Sequence, residues 1–155
     1  MYKKILVPVD GSGLAECVFE HVKAVATGCN VPEVDLLYVV QPLSRARGGA
    51  FAGMGEEFWA QADKKAEALG KDYLAKVAKD MKASGVAAKS TVLRGNPAEK
   101  ILEYAKKNGV DLIIMSTHGR SGPARWAFGS TTDRVIRLSQ APMMVIRPAA
   151  CTSPA

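Results

Sequence analysis

A chain of 155 residues, 48% hydrophobic and 23% charged, has the make-up of one globular domain with a sizeable core. Its formal charge of +6 comes from scattered lysines and arginines, and with four Phe, four Tyr and two Trp in no basic–aromatic cluster, a nucleic-acid partner is not expected. Cys17, Cys29 and Cys151 are odd in number and lack metal-ligand spacing, and no apolar run reaches 18 residues, which argues against a disulfide frame, a zinc site, a membrane span and a secretory leader and for a reducing, cytoplasmic setting.

Ile5–Val9 is a continuous apolar run, as in a parallel strand covered on both faces, and Asp10-Gly11-Ser12-Gly13 ends it with turn chemistry. From Leu14 to Thr27 the apolar residues Leu14, Val18, Val22 and Val25 mark one helix face, which Gly28 is expected to close. Val34–Val40 repeats the buried-strand pattern. Gln41–Glu57 has four glycines and no periodicity, and is expected to form a mobile loop. Phe58–Ser84 predicts a long amphipathic helix, and its stripe of Trp59, Ala62, Ala66, Leu69, Tyr73, Val77 and Met81 is core rather than a ligand platform.

Lys89–Leu93 predicts a further strand, ended by Arg94-Gly95. Asn96-Pro97-Ala98-Glu99 then starts a helix to Lys107, because Asn caps, Pro suits the first turn and Glu sits three residues after the cap. Val110 and Leu112 to Met115 form another buried strand. Beyond it, Ser130 and Asp133 predict an N-capped helix through Leu138, Met143–Ile146 predicts a short last strand, and the chain from Pro148 reads as a frayed tail.

Five strands alternating with four helices predict a single doubly wound α/β domain, a parallel sheet with helices on both faces. Ligands of such sheets lie beyond the carboxyl ends of the strands, where the winding reverses. Asp10 and the Ser116–Ser130 loop both fall at strand ends. Small residues at both ends of that loop, followed by a helix start, suit a phosphate, although an ordinary βα connection has the same composition. Asp10 suits either a turn closed on its own backbone or a carboxylate for ribose hydroxyls, and His118 either a phosphate donor or a cap for the loop. His21 reads as structural. A dinucleotide fingerprint fails at Glu16, no GxxxxGK[ST] or GxSxG occurs, and no catalytic residue or metal ligand can be named.

KKILVPVDGS at Lys3–Ser12, RGNPAEKILEYA at Arg94–Ala105, DLIIMSTHGRSG from Asp111, GSTTDRVI from Gly129 and SQAPMMVIRP at Ser139–Pro148 resemble the universal stress protein family over nearly the whole chain. The resemblance implies a domain over residues 1–148 with a tail at 149–155, strand order 3-2-1-4-5, and a homodimer through the edge strand Met143–Ile146. The family's nucleotide-binding branch carries G-x-x-G, nine residues, then G-S/T. Here the frame reads Ser116-x-x-Gly119, nine residues, Gly129-Ser130, with serine for the first glycine. By the resemblance Pro8, Asp10 and Val39 flank adenine and ribose, with Met115 near the base and Ser116 beside the ribose. His118, Gly119, Gly129, Ser130 and Thr131 hold the phosphates, and Val9, Arg120 and Thr132 are further nucleotide-binding residues. The implied ligand is ATP, alone or with Mg2+, or another adenine nucleotide, bound by a stress-response sensing module with slow or no hydrolysis. The alternative is a dimeric interaction protein that binds no nucleotide, for which Ser116 and the glycine-rich Arg47–Gly55 loop speak.

Overall fold

Strands apolar at nearly every position can be buried only between two layers of helices, and the central strands lie that way. The computed structural model describes residues 1–13, 17–42, 53, 55–117 and 129–147. Its elements in order are β1 (Ile5–Val9), α1 (Val18–Gly28), β2 (Val34–Val40), α2 (Glu56–Ala83) and β3 (Ala88–Arg94), then α3 (Pro97–Asn108), β4 (Leu112–Ser116), α4 (Ser130–Leu138) and β5 (Met143–Ile146). Every ladder is parallel and the strand order is β3-β2-β1-β4-β5, as the family resemblance implies. No helix among the described residues is long and apolar enough to cross a membrane.

Alternate strand residues serve opposite faces. Ile5, Val7, Val34, Leu36 and Ile114 pack with Val18 and Val22 of α1 and Leu74, Val77 and Met81 of α2. Leu6, Leu37, Ile113 and Met115 pack with Ala98, Ile101 and Ala105 of α3 and Val135 of α4. Each fully buried Val, Leu or Ile contributes about 1.5–3 kcal/mol.

Local signals decided the start of α3. The Asn96 side chain accepts from the Glu99 amide at 3.2 Å, and Pro97 is the first helical residue. The Glu99 carboxylate does not reach back to the cap but takes Arg134 Nη2 at 2.9 Å, tying α3 to α4. α1 ends at Gly28 as expected, and the left-handed residue beyond it is Asn30, at φ 51°. There Val31 N donates to Ala26 O at 2.9 Å, a closure asparagine tolerates because its short polar side chain suits that region.

The stripe expected on α2 holds at Val77 and Met81, which are buried, and at Trp59, Ala62, Ala66 and Tyr73, which are half-buried, but fails at Leu69. Leu69 is 59% exposed, and Gly70 and Leu74 are buried with Val77 and Met81. Ahead of Gly70 the helix is held by ion pairs, with Arg94 at the end of β3 meeting Asp63 and Glu67. Its phase is set by Tyr38, whose ring lies where a side chain at position 70 would go: a Cβ there would stand 2.8 Å from Tyr38 Cδ1. Gly70→Ala gains about 1 kcal/mol of helix propensity. It is nevertheless expected to lower Tm, because overpacking a filled core costs about 1–3 kcal/mol. A raised Tm on thermal unfolding would show that Tyr38 yields freely.

Several expectations lie outside the described residues: the helix positions Leu14 to Glu16, most of the Arg47–Gly55 loop, His118, Gly119 and Arg120, and the tail from Pro148.

Candidate functional site

The crevice begins where two strands part. β1 pairs with β2 along its whole length, from Ile5↔Val34 to Val9↔Tyr38. Its ladder with β4 holds only Ile5↔Leu112 and Leu6↔Ile113. Pro8, which has no N–H to donate, sits beyond the end of that short ladder. The chain leaves β1 toward the face covered by α1 and leaves β4 toward the face covered by α4, so this is the switch point of the sheet.

Pro8, Val9 and Asp10 lie at the carboxyl end of β1, Val39 near that of β2, and Met115 and Ser116 at that of β4. The fold therefore gathers these expected residues at one end of three adjacent strands. Val9 and Met115 are buried in opposite core layers, and Pro8 and Val39 are half-buried. Asp10 closes its own turn, its Oδ1 accepting from Ser12 N at 2.9 Å and Ser12 Oγ at 2.6 Å. Gly11 follows at φ 75°, a conformation that favours glycine.

Ser116 is 9% exposed and is the last residue of β4, in register with Ile146 of β5. A strand residue is extended, so this position asks for none of the freedom glycine provides. The departure from the family frame leaves the backbone unstrained.

At α4 the expected capping pair is not formed. Gly129 is the N-cap, with φ −55° and ψ 149°, and Ser130 is already helical. The Asp133 amide donates to Gly129 O at 2.9 Å, the first bond of the helix, which leaves the amides of Ser130, Thr131 and Thr132 ahead of it. These donors and the helix dipole make a place for an anion. Gly129 N donates to Thr117 O at 2.8 Å, joining the start of α4 to the residue after β4.

The Asp133 carboxylate in the first turn accepts from Arg137 Nε at 2.9 Å. That hydrogen bond, with the opposite charge behind it, holds the Arg137 guanidinium above its ordinary pKa and balances an acid that would otherwise oppose an anion. Among the described residues no group of three or more His, Cys, Asp or Glu side chains is gathered for a metal.

Sequence reasoning passed over Thr117 and gave Thr132 its place only through the resemblance. Thr132 Oγ1 donates to Ser116 O at 3.0 Å, and Thr117 N donates to Ile146 O at 2.9 Å. No periodicity marks a bond between residues so far apart along the chain.

A sequence profile described as the universal stress protein family matches residues 1–147. The chain belongs to the universal stress protein family. This universal stress protein is similar to universal stress protein MJ0577 of Methanocaldococcus jannaschii, 34% identical over 95% of this chain and 96% of that one. The solved structure of MJ0577 superposes with a TM-score of 0.81 over the same shares of the two chains. The UspA structure from Lactobacillus plantarum, 28% identical, also gives 0.81, over 94% of this chain and 98% of that chain. An Arabidopsis thaliana family protein solved with AMP bound shares the fold, with TM-score 0.69 and 17% identity over 99% and 96%.

Proposed function

We propose that this universal stress protein binds adenine nucleotide, ATP foremost, in the crevice between the carboxyl ends of β1 and β4. The observation that carries the reading is the start of α4, where the amides of Ser130, Thr131 and Thr132 precede the first helical bond at the switch point of the sheet. Asp10 and Val39 stand at neighbouring strand ends for ribose and adenine, and His118, Gly119 and Arg120 complete the phosphate side by the family frame. The fold holds AMP in the Arabidopsis protein and cAMP in another universal stress protein, which supports the ligand class. Mg2+, if bound with the nucleotide, would be held by its phosphates, since no metal-binding group of side chains is gathered among the described residues.

We assign no catalytic residue, and read the protein as a cytoplasmic, homodimeric sensing module with slow or no hydrolysis. Calorimetry on nucleotide-stripped protein tests this directly. ATP is expected to give a saturable heat, with ADP and AMP compared in the same cell. No heat with any adenine nucleotide at millimolar ligand would reject the reading and favour an interaction protein without nucleotide.

A further inference from the structure

Thr132 is 3% exposed, and its hydroxyl bonds within the protein, to the carbonyl of Ser116 at 3.0 Å. Three residues earlier, the Gly129 amide is held by Thr117 O at 2.8 Å. The last residue of β4 and the one after it therefore grip the start of α4 at two points, and the amides of Ser130 and Thr131 lie between them. A helix held at one residue can pivot about it; a second hold nearly one turn further on fixes the direction of its first amides. Thr117 is itself anchored, its amide donating to Ile146 O at 2.9 Å, so the grip is continuous with the sheet.

We propose that Thr132 is a positioning residue for the phosphates of the bound nucleotide, its hydroxyl aiming the α4 amides through Ser116 O rather than touching the ligand. This rests on the nucleotide reading above and specifies how that site is oriented. The hydroxyl is the needed group: valine matches threonine in shape but leaves the Ser116 carbonyl without this donor, whereas serine keeps it.

The test compares wild type, Thr132→Val, Thr132→Ala and Thr132→Ser by calorimetry with ATP and with adenosine, alongside thermal unfolding and amide hydrogen exchange. Two variants lacking the hydroxyl keep the result from hanging on the folding of either. ATP affinity is expected to fall about tenfold in the Val and Ala variants, with adenosine affinity unchanged and the Ser variant restoring ATP affinity. Faster exchange at the Gly129 amide in the same two variants is the expected sign of a loosened helix start. A merely structural role would lower Tm without separating ATP from adenosine. Equal loss of both ligands, or unchanged ATP affinity in the Val and Ala variants, overturns the positioning role while leaving the nucleotide reading in place. A wild type that binds neither ligand overturns both.

Discussion

Gly129→Asp is expected to lower ATP affinity by tenfold or more, on the order of 1.4 kcal/mol or greater, while the folded protein holds or gains stability. The two effects have opposite signs because they arise from different properties of one side chain. Gly129 is the N-cap of α4 at φ −55°, a backbone any residue adopts, and its amide bond to Thr117 O needs no particular side chain. Aspartate is among the preferred N-cap residues, since its carboxylate accepts from amides of the first helical turn. Those are the amides proposed to meet the phosphates, so a cap of this kind both occupies the donors and sets a fixed negative charge against an anion. Gly129→Asn separates the contributions, because it caps without charge and should retain more affinity than Asp. Calorimetry with ATP and thermal unfolding on the same samples read both quantities. An unchanged affinity in Gly129→Asp would place the phosphates elsewhere; a large fall in Tm would show that position 129 does not tolerate a capping side chain.

Val145→Pro is expected to convert a dimer to a monomer without dismantling the sheet. β5 is the edge strand beside β4, and it runs from Met143 to Ile146 with Pro142 just ahead of it. The amides of Ile113 and Thr117 donate to the carbonyls of Pro142 and Ile146. In a parallel ladder a residue turns both backbone groups to one side and its neighbour turns them to the other. Met144 and Ile146 therefore pair with β4, while Met143 and Val145 direct N–H and C=O toward the open edge. An edge with apolar side chains and outward backbone donors invites another strand, and Ile136 and Leu138 of α4 add exposed apolar surface. A second copy related by a two-fold axis would meet it through the same residues. Proline at 145 removes one outward donor and leaves the inward ones, so the β4 ladder survives. Sedimentation at tens of micromolar should show a dimer for wild type and a monomer for the variant. A monomeric wild type, or a variant that remains dimeric, would remove β5 as the interface.

What the sequence determined by itself was whatever leaves a local or periodic mark. Burial on both faces makes β1, β2 and β4 apolar almost throughout, so their positions are legible in the residues alone. The start of α3 is legible for a different reason: Asn96, Pro97 and Glu99 act within one turn. Alternation of strand and helix led to the fold class, while the order of the strands rested on likeness to a family, because periodicity does not say which strands become neighbours.

The tertiary structure decided what depends on a partner distant in sequence. Leu69 and Gly70 compete for the inner face of α2, and the apolar residue loses because the ring of Tyr38 already fills that place. Ser130 is as good a cap by composition as Gly129, yet the helix begins one residue earlier than a Ser130 cap would allow: Gly129 is held at Thr117 O, and Ser130 enters the helix. Thr132 reads along the chain as one more small polar residue in a first turn. Only when β4 and α4 come together does its hydroxyl meet the carbonyl of Ser116, because a buried acceptor selects its donor by distance in space.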